Sequence, residues 1–419
     1  MPNDIAADFL TFLNAAPSVF HVCATLQEKL LAAGFTHLDE RLPWTLQPGQ
    51  AGFISRNGSA LAAFRLAEQG APQAAPFRIV AAHSDSPALK LKLPAAKMQA
   101  GSLRVPVEPY GSFIHSSWLD RPLALAGRII TEDGQASLVD SRRALAVIPN
   151  IAPHMQRSLN DGFVYNPQQH LAALFGETSI SELLTLLLDG QKPACPEAPL
   201  AELFLYEPEA ACLAGLKEDL LLASRLDNLA SSYAAIEALC QSKASGVHQV
   251  VFLADHEEVG SRSAQGADSA FLKDFLTRML GQNCNDELLL RSLAASFLLS
   301  ADAAHAWHPN FMDAHDPDYA PLLNGGIVIK ENISQRYAGS LPAQAWLRAL
   351  CKKAGIPWQY FQVRADRPCG STIGPACSAL LGVQALDIGI AMWAMHSNRE
   401  TAGRKDLQSM KNLLQAFFG

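Results

Sequence analysis

The chain has 419 residues, 49% hydrophobic and 17% charged. At roughly 150 residues per domain this is enough for a large core in two or three domains, and it argues against extended disorder. Lys plus Arg number 33 against 40 Asp plus Glu, a net charge of −7, which leaves no basic footprint for nucleic acid. No apolar run reaches the roughly 18 residues of a membrane span. Met1-Pro2-Asn3-Asp4 also lacks the basic-then-apolar order of a signal peptide. The eight cysteines include no Cys-x-x-Cys pair, so neither a disulfide framework nor a cysteine zinc site is expected. The expectation is a soluble cytoplasmic globular protein.

Two helices open the chain. Ile5, Phe9 and Leu13, then Leu26, Leu30 and Leu31, recur at helical spacing, and Gly34 follows as a C-cap. Phe77-Arg78-Ile79-Val80-Ala81-Ala82 is a short apolar run halted by His83-Ser84-Asp85, the pattern of a buried parallel strand with polar residues at its carboxyl end.

Residues 98–215 read as a mostly β insertion. Val105-Pro106-Val107 leads into a turn-rich stretch, and Arg128–Thr131 with Ser137–Val139 flank Glu132-Asp133-Gly134 as a hairpin. One helix is expected here, capped by Ser179 with Glu182 three residues on. Residues 191–199 are Pro-rich and read as a linker or surface loop.

Strand–helix alternation returns after 216. A helix over 226–240 precedes the strand Val250–Ala254. Phe297–Ala301 runs into Asp302, and a strand over 388–392 leads towards His396. The expected class is α/β, a layered α/β/α sandwich formed by 1–97 and 216–419.

Several apolar strands thus end in residues that can bind metal or move protons: His83 with Asp85, Asp255-His256-Glu257-Glu258, Asp302 and His396. Open α/β sheets bind ligands beyond the carboxyl ends of their strands, so these residues can converge on one rim. Asp85, two residues beyond His83, is suited to hold a metal-ligating imidazole in one tautomer. Adjacent Glu257 and Glu258 repel unless a cation compensates. One of them can ligate while the other takes a proton, and Val259-Gly260 suggests a closely packed turn. Asp227 opens a helix and has two readings, a carboxylate serving free N–H groups or a bridge between two ions. His305, His308 and His315 read as surface histidines. Gly370-Ser371-Thr372-Ile373-Gly374 has no Lys in P-loop register.

These segments together resemble the aspartyl aminopeptidases, dinuclear zinc exopeptidases of the α/β/α zinc-exopeptidase type. The resemblance rests on Ala82–Pro87, Asn150–Met155, Ser224–Asn228, Asp255–Ser261, Ser300–His305, Gln335–Tyr337, Cys369–Pro375 and Met395–Ser397. It implies two Zn²⁺ ions per subunit, held by His83, Asp227, Glu258, Asp302 and His396, with Asp227 bridging. It implies Glu257 as general base, Asp85 as the carboxylate orienting His83, and His154, Lys330 and Tyr337 as substrate-binding residues. His154 would act in a neighbouring subunit's site. It further implies removal of N-terminal residues from peptides, acidic Asp or Glu preferred, and a dimer-based homo-oligomer, possibly a dodecamer, with 98–215 as its oligomerisation segment. Two positions depart from the family pattern, Arg367 before Pro368 and Asn398 after Ser397. The alternatives are a metal-dependent deacylase or carboxypeptidase, and a catalytically silent assembly protein.

Overall fold

A computed structural model describes residues 4–72, 74–189, 191–195, 199–281 and 285–419. The first three residues, Cys284 and the middle of the Pro-rich stretch 191–199 lie outside the described residues. The helices Ile5–Ala15 and Val19–Ala32 form as the spacing predicts. Gly34, at φ +82, takes the left-handed turn after the second.

A nine-stranded sheet forms the centre, with helices on both faces. Its strand order is Thr36–His37, Ala51–Arg56, Ala60–Arg65, His248–Ala254, Phe77–His83, Phe297–Ala301, Gln384–Gly389, Ile327–Lys330, Trp358–Phe361. Four of its central strands run parallel: His248–Ala254, Phe77–His83, Phe297–Ala301 and Gln384–Gly389. Alternate residues of one strand face opposite helix layers. Val80 and Ala82 pack with Phe9, Leu26, Ile236 and Met410, whereas Ile79 and Ala81 pack with Phe271, Phe275, Leu289 and Cys377. A strand buried on both faces must be apolar throughout, which is why Phe77–Ala82 shows no polar alternation.

A seven-stranded antiparallel sheet has its own apolar core, built on Leu89, Val105, Leu125, Ile129, Leu183, Leu187 and Leu203. The expected hairpin is present as Ala124–Ile130 against Ala136–Asp140, and Ser179 and Glu182 form a reciprocal capping box on the helix Ile180–Leu187. This sheet differs from the expected 98–215 at both ends. Ala88–Leu91 lies within it, and Cys212–Ala214 pairs instead with a third, five-stranded sheet.

The strand expected over 388–392 divides in two. Gln384–Gly389 belongs to the central sheet and Ala391–Trp393 to the third. Ile390 sits between them and accepts the Ala304 N–H.

Candidate metal centre

The parallel register decides which side chains meet. Ala254 lies opposite His83, and Ser300 opposite Ala81. His83, the 255–258 turn and Asp302 therefore leave the sheet at the same rim. His396 arrives from the turn after Ala391–Trp393, and Asp227 from the start of the helix Leu226–Gln241.

Asp227 does not cap that helix. Its backbone and that of Asn228 are non-helical, the peptide between them is cis, and no side-chain cap bond forms. Ser86 Oγ donates to the Asp227 carbonyl at 2.7 Å, and Asn228 Nδ2 donates to the Ala301 carbonyl at 2.8 Å. These bonds aim the carboxylate inward. Its Oδ1 lies 3.4 Å from His83 Nε2, and its Oδ2 lies 3.3 Å from His396 Nε2. His83 Nε2 is also 3.5 Å from Asp302 Oδ1, and His396 Nε2 is 3.4 Å from Glu258 Oε2.

Two sets of donor atoms result, His83–Asp227–Asp302 and Asp227–Glu258–His396, each with all its atoms within 4.8 Å of one another. Donors at about 2.0–2.1 Å from a tetrahedral zinc stand about 3.3–3.4 Å apart, close to the 3.3–3.5 Å from His83 to Asp227 and Asp302 and from His396 to Asp227 and Glu258. Asp227 Oδ1 and Glu258 Oε1 are buried without a hydrogen-bond donor among the described residues, which a cation would satisfy. A further set joins His83, Glu257 and Glu258.

The electrostatics point the same way. Burial disfavours charge on His83, yet Asp227, Asp302 and Asp85 outweigh it and hold the ring well above its ordinary pKa. Burial pushes Glu257 up to about 8; His83 pulls against this, and Asp302, Asp85 and Asp227 add to it. Glu258 is raised by burial and by Asp227. So many carboxylates in one enclosed site call for positive charge.

Asp85 does more than the sequence suggested. His83 Nδ1 meets the Asp85 backbone carbonyl at 3.0 Å, with the carboxylate at 3.4 Å. That carboxylate accepts the N–H groups of Glu257 and Glu258 at 3.2 and 3.1 Å, and the Tyr110 hydroxyl at 2.7 Å. The 257–260 turn needs this support, since His256 is left-handed at φ 64 and Val259, expected to pack, is half exposed.

Lys330 ends a strand that runs antiparallel to Gln384–Gly389, so the strand points away from this rim, yet the Lys330 side chain, only 3% exposed, reaches back to Asp302. Its ammonium donates to the Ala303 carbonyl at 2.8 Å, stands 3.6 Å from Asp302 Oδ2 and lies 4.6 Å from the centre of the buried Tyr337 ring. His154 is not in this cluster. It lies on an exposed stretch whose Met155 and Val164 are 78% and 82% exposed. His305 is exposed and sets its ring against Phe361; with His308 and His315 it borders a groove carrying Arg364 and Arg367. None of the three belongs to a ligand group among the described residues. Asn398 is buried and donates its N–H to Ser117 Oγ at 2.9 Å. Gly374 is small because Asp387 and Ser300 occupy the space a Cβ would take.

Sequence reasoning did not single out Tyr110, Asn228 or Glu400. Each acts through a partner far along the chain, and no local pattern marks it.

Residues 12–418 match the profile described as Aminopeptidase I zinc metalloprotease (M18). The chain is 40% identical to the probable M18 family aminopeptidase 2 of Ectopseudomonas mendocina, over all of this chain and 99% of that protein. It is 39% identical over the same shares to the protein so described in Pseudomonas aeruginosa. It superposes with a TM-score of 0.95 on a chain of the Ape4 and Nbr1 complex solved by cryo-EM, at 37% identity, covering 99% of this chain and 85% of that one. The S. cerevisiae mApe1 dodecamer gives 0.84 at 27% identity, covering 99% and 96%. The chain belongs to the M18 family of zinc metalloaminopeptidases.

Proposed function

We propose that this aminopeptidase works with two zinc ions per subunit. His83 and Asp302 would hold one, Glu258 and His396 the other, and Asp227 both. The observation that carries this reading is the pair of Asp227 oxygens, each set 3.3–3.4 Å from a different histidine. Bound zinc supplies Lewis acidity, acidifying water towards neutrality and polarising the scissile carbonyl. Glu257 takes the proton from the attacking water, the C–N bond breaks, and Glu257 delivers that proton to the leaving amine. Asp85 keeps His83 oriented and fixes the Glu257–Glu258 backbone.

The substrate is the free N-terminal residue of a peptide, with Asp or Glu preferred. Lys330 and Tyr337 line the wall that its side chain meets, where the ammonium is already placed beside a carboxylate. His154 serves the site of a neighbouring subunit, where it stabilises the developing oxyanion. The residues around the seven-stranded sheet form the contact between subunits. Assembly into a homo-oligomer follows the example of the Ape1 dodecamer, and we take a dimer as its building unit. No described helix is long and apolar enough to cross a membrane. We read the location as cytoplasmic, in keeping with the free thiols of Cys23, Cys351 and Cys377.

The test is zinc content together with turnover of Asp-, Glu-, Ala- and Leu-nitroanilides by wild type and Glu257→Gln. Two zinc ions per chain in both proteins are expected, with turnover lowered about 10²–10⁴-fold in the variant. One ion per chain, or near-normal turnover in the variant, overturns the assignment.

A further inference from the structure

Glu400 is buried, 1% exposed. It opens the strand Glu400–Gly403, directly opposite Ala223. That pairing carries its side chain to the turn that delivers Asp227. One oxygen accepts the Asp227 N–H at 3.0 Å and the other accepts the His396 N–H at 2.6 Å. One buried carboxylate thus ties together the backbones of two residues 169 positions apart (396 − 227).

We propose that Glu400 is a positioning residue that sets the spacing of Asp227 and His396, and with it the affinity for the ion they share. The proposal rests on the two-zinc reading above.

Three features support it. His396 has a left-handed backbone, φ 67, as does Arg225, two residues before Asp227, φ 63. Non-glycine residues in that region persist only where their surroundings hold them. A buried carboxylate is itself unfavourable without strong donors, and the only side-chain-to-backbone bonds it makes among the described residues are these two. The centre also repeats the device, since Asp85 gathers the Glu257 and Glu258 N–H groups in the same way. Each pair of functional side chains hangs from one carboxylate. With Asp227 and His396 fixed, Oδ2 and Nε2 face each other at 3.3 Å.

The experiment compares Glu400→Gln with wild type by stepwise zinc removal with a chelator, by zinc content, and by thermal unfolding of the zinc-free proteins. Gln keeps one acceptor and turns an NH2 towards the other N–H. The ion shared by Asp227 and His396 should then dissociate about 10–100-fold more readily, with the other ion less affected and zinc-free unfolding little changed. Glu400→Asp, which keeps the charge but cannot span both N–H groups, should lose the same ion and serves if the Gln variant does not fold. Wild-type affinity for both ions in either variant overturns the proposal. So does a uniform loss at both ions that tracks a fall in zinc-free stability, because that is a general structural role. Fewer than two zinc ions in wild type would instead reject the two-zinc reading itself.

Discussion

Tyr110 donates its hydroxyl to Oδ2 of Asp85 across 2.7 Å. This bond joins the last residue of the strand Ser102–Tyr110, in the antiparallel sheet, to the carboxylate that holds the Glu257–Glu258 turn. Gly111 follows at φ +72, and a Cβ there would press on the Glu258 side chain. The second sheet is thus wired into the centre through hydrogen bonding and close contact, not merely packed beside it.

Tyr110→Phe should therefore be felt in both stability and turnover. A buried carboxylate losing one donor costs about 1.5–3 kcal/mol, which chemical denaturation would read as a lower midpoint at unchanged slope. Turnover should fall because the Glu257 backbone is less well held. A variant with wild-type midpoint and rate would show that the hydroxyl is dispensable.

His154 sits outside its own chain's cluster, among exposed Ile151, Met155 and Val164. If it completes a neighbour's site, co-refolding inactive His154→Ala chains with inactive Glu257→Gln chains should restore part of the activity. Some sites would then draw both intact residues. Mixed oligomers without any gain would assign His154 to its own subunit or to no site.

Lys330→Met separates two uses of one ammonium. It stands 3.6 Å from Asp302 and beside Tyr337. If it reads the substrate side chain, kcat/KM should fall for Asp- and Glu-terminated peptides, by about 2–5 kcal/mol in transition-state terms, and far less for Ala and Leu. Equal losses on all four would mean that it serves Asp302 alone.

His248 supplies a pH effect away from the centre. Its Nδ1 accepts the Ala67 N–H at 3.2 Å and its ring packs on Phe77. Burial pulls its pKa from 6.5 down to about 4. Between those values the unfolded chain binds a proton that the folded chain refuses. The contribution is therefore whole above 6.5 and is lost as pH falls towards 4, at no more than about 1.4 kcal/mol per pH unit. His248→Gln keeps an acceptor but cannot titrate, so its stability should fall less steeply over that range. Parallel profiles for the two proteins would remove His248 from the account.

The parallel strands and the residues at their ends were legible because their signal is local. An apolar run that stops at His83, at Asp255–Glu258 or at Asp302 announces a buried strand and a polar rim within ten residues of sequence. The departures arose where the choice of partner is distant. The run over 388–392 is uniformly apolar, yet its hydrogen bonds divide it between two sheets at Ile390. Ala88–Leu91 joined the antiparallel sheet because Pro109, Glu108 and Phe204 lie opposite it, not because of its own composition.

By itself the sequence determined the α/β class, the buried strands and which residue types stand at their carboxyl ends, since burial and periodicity are properties of short segments. Only the tertiary structure decided that Asp227 does not cap its helix. A carboxylate at a helix start can serve free N–H groups or face inward, and the spacing is the same for both. Ser86, the Ala301 carbonyl and the Glu400 carboxylate, brought together from 314 residues of chain (400 − 86), bond to the Asp227–Asn228 segment, and the Asp227 carboxylate faces His83 and His396. Hydrogen bonds form with whatever shares the rim, and that depends on strand order and register rather than on any neighbour in sequence.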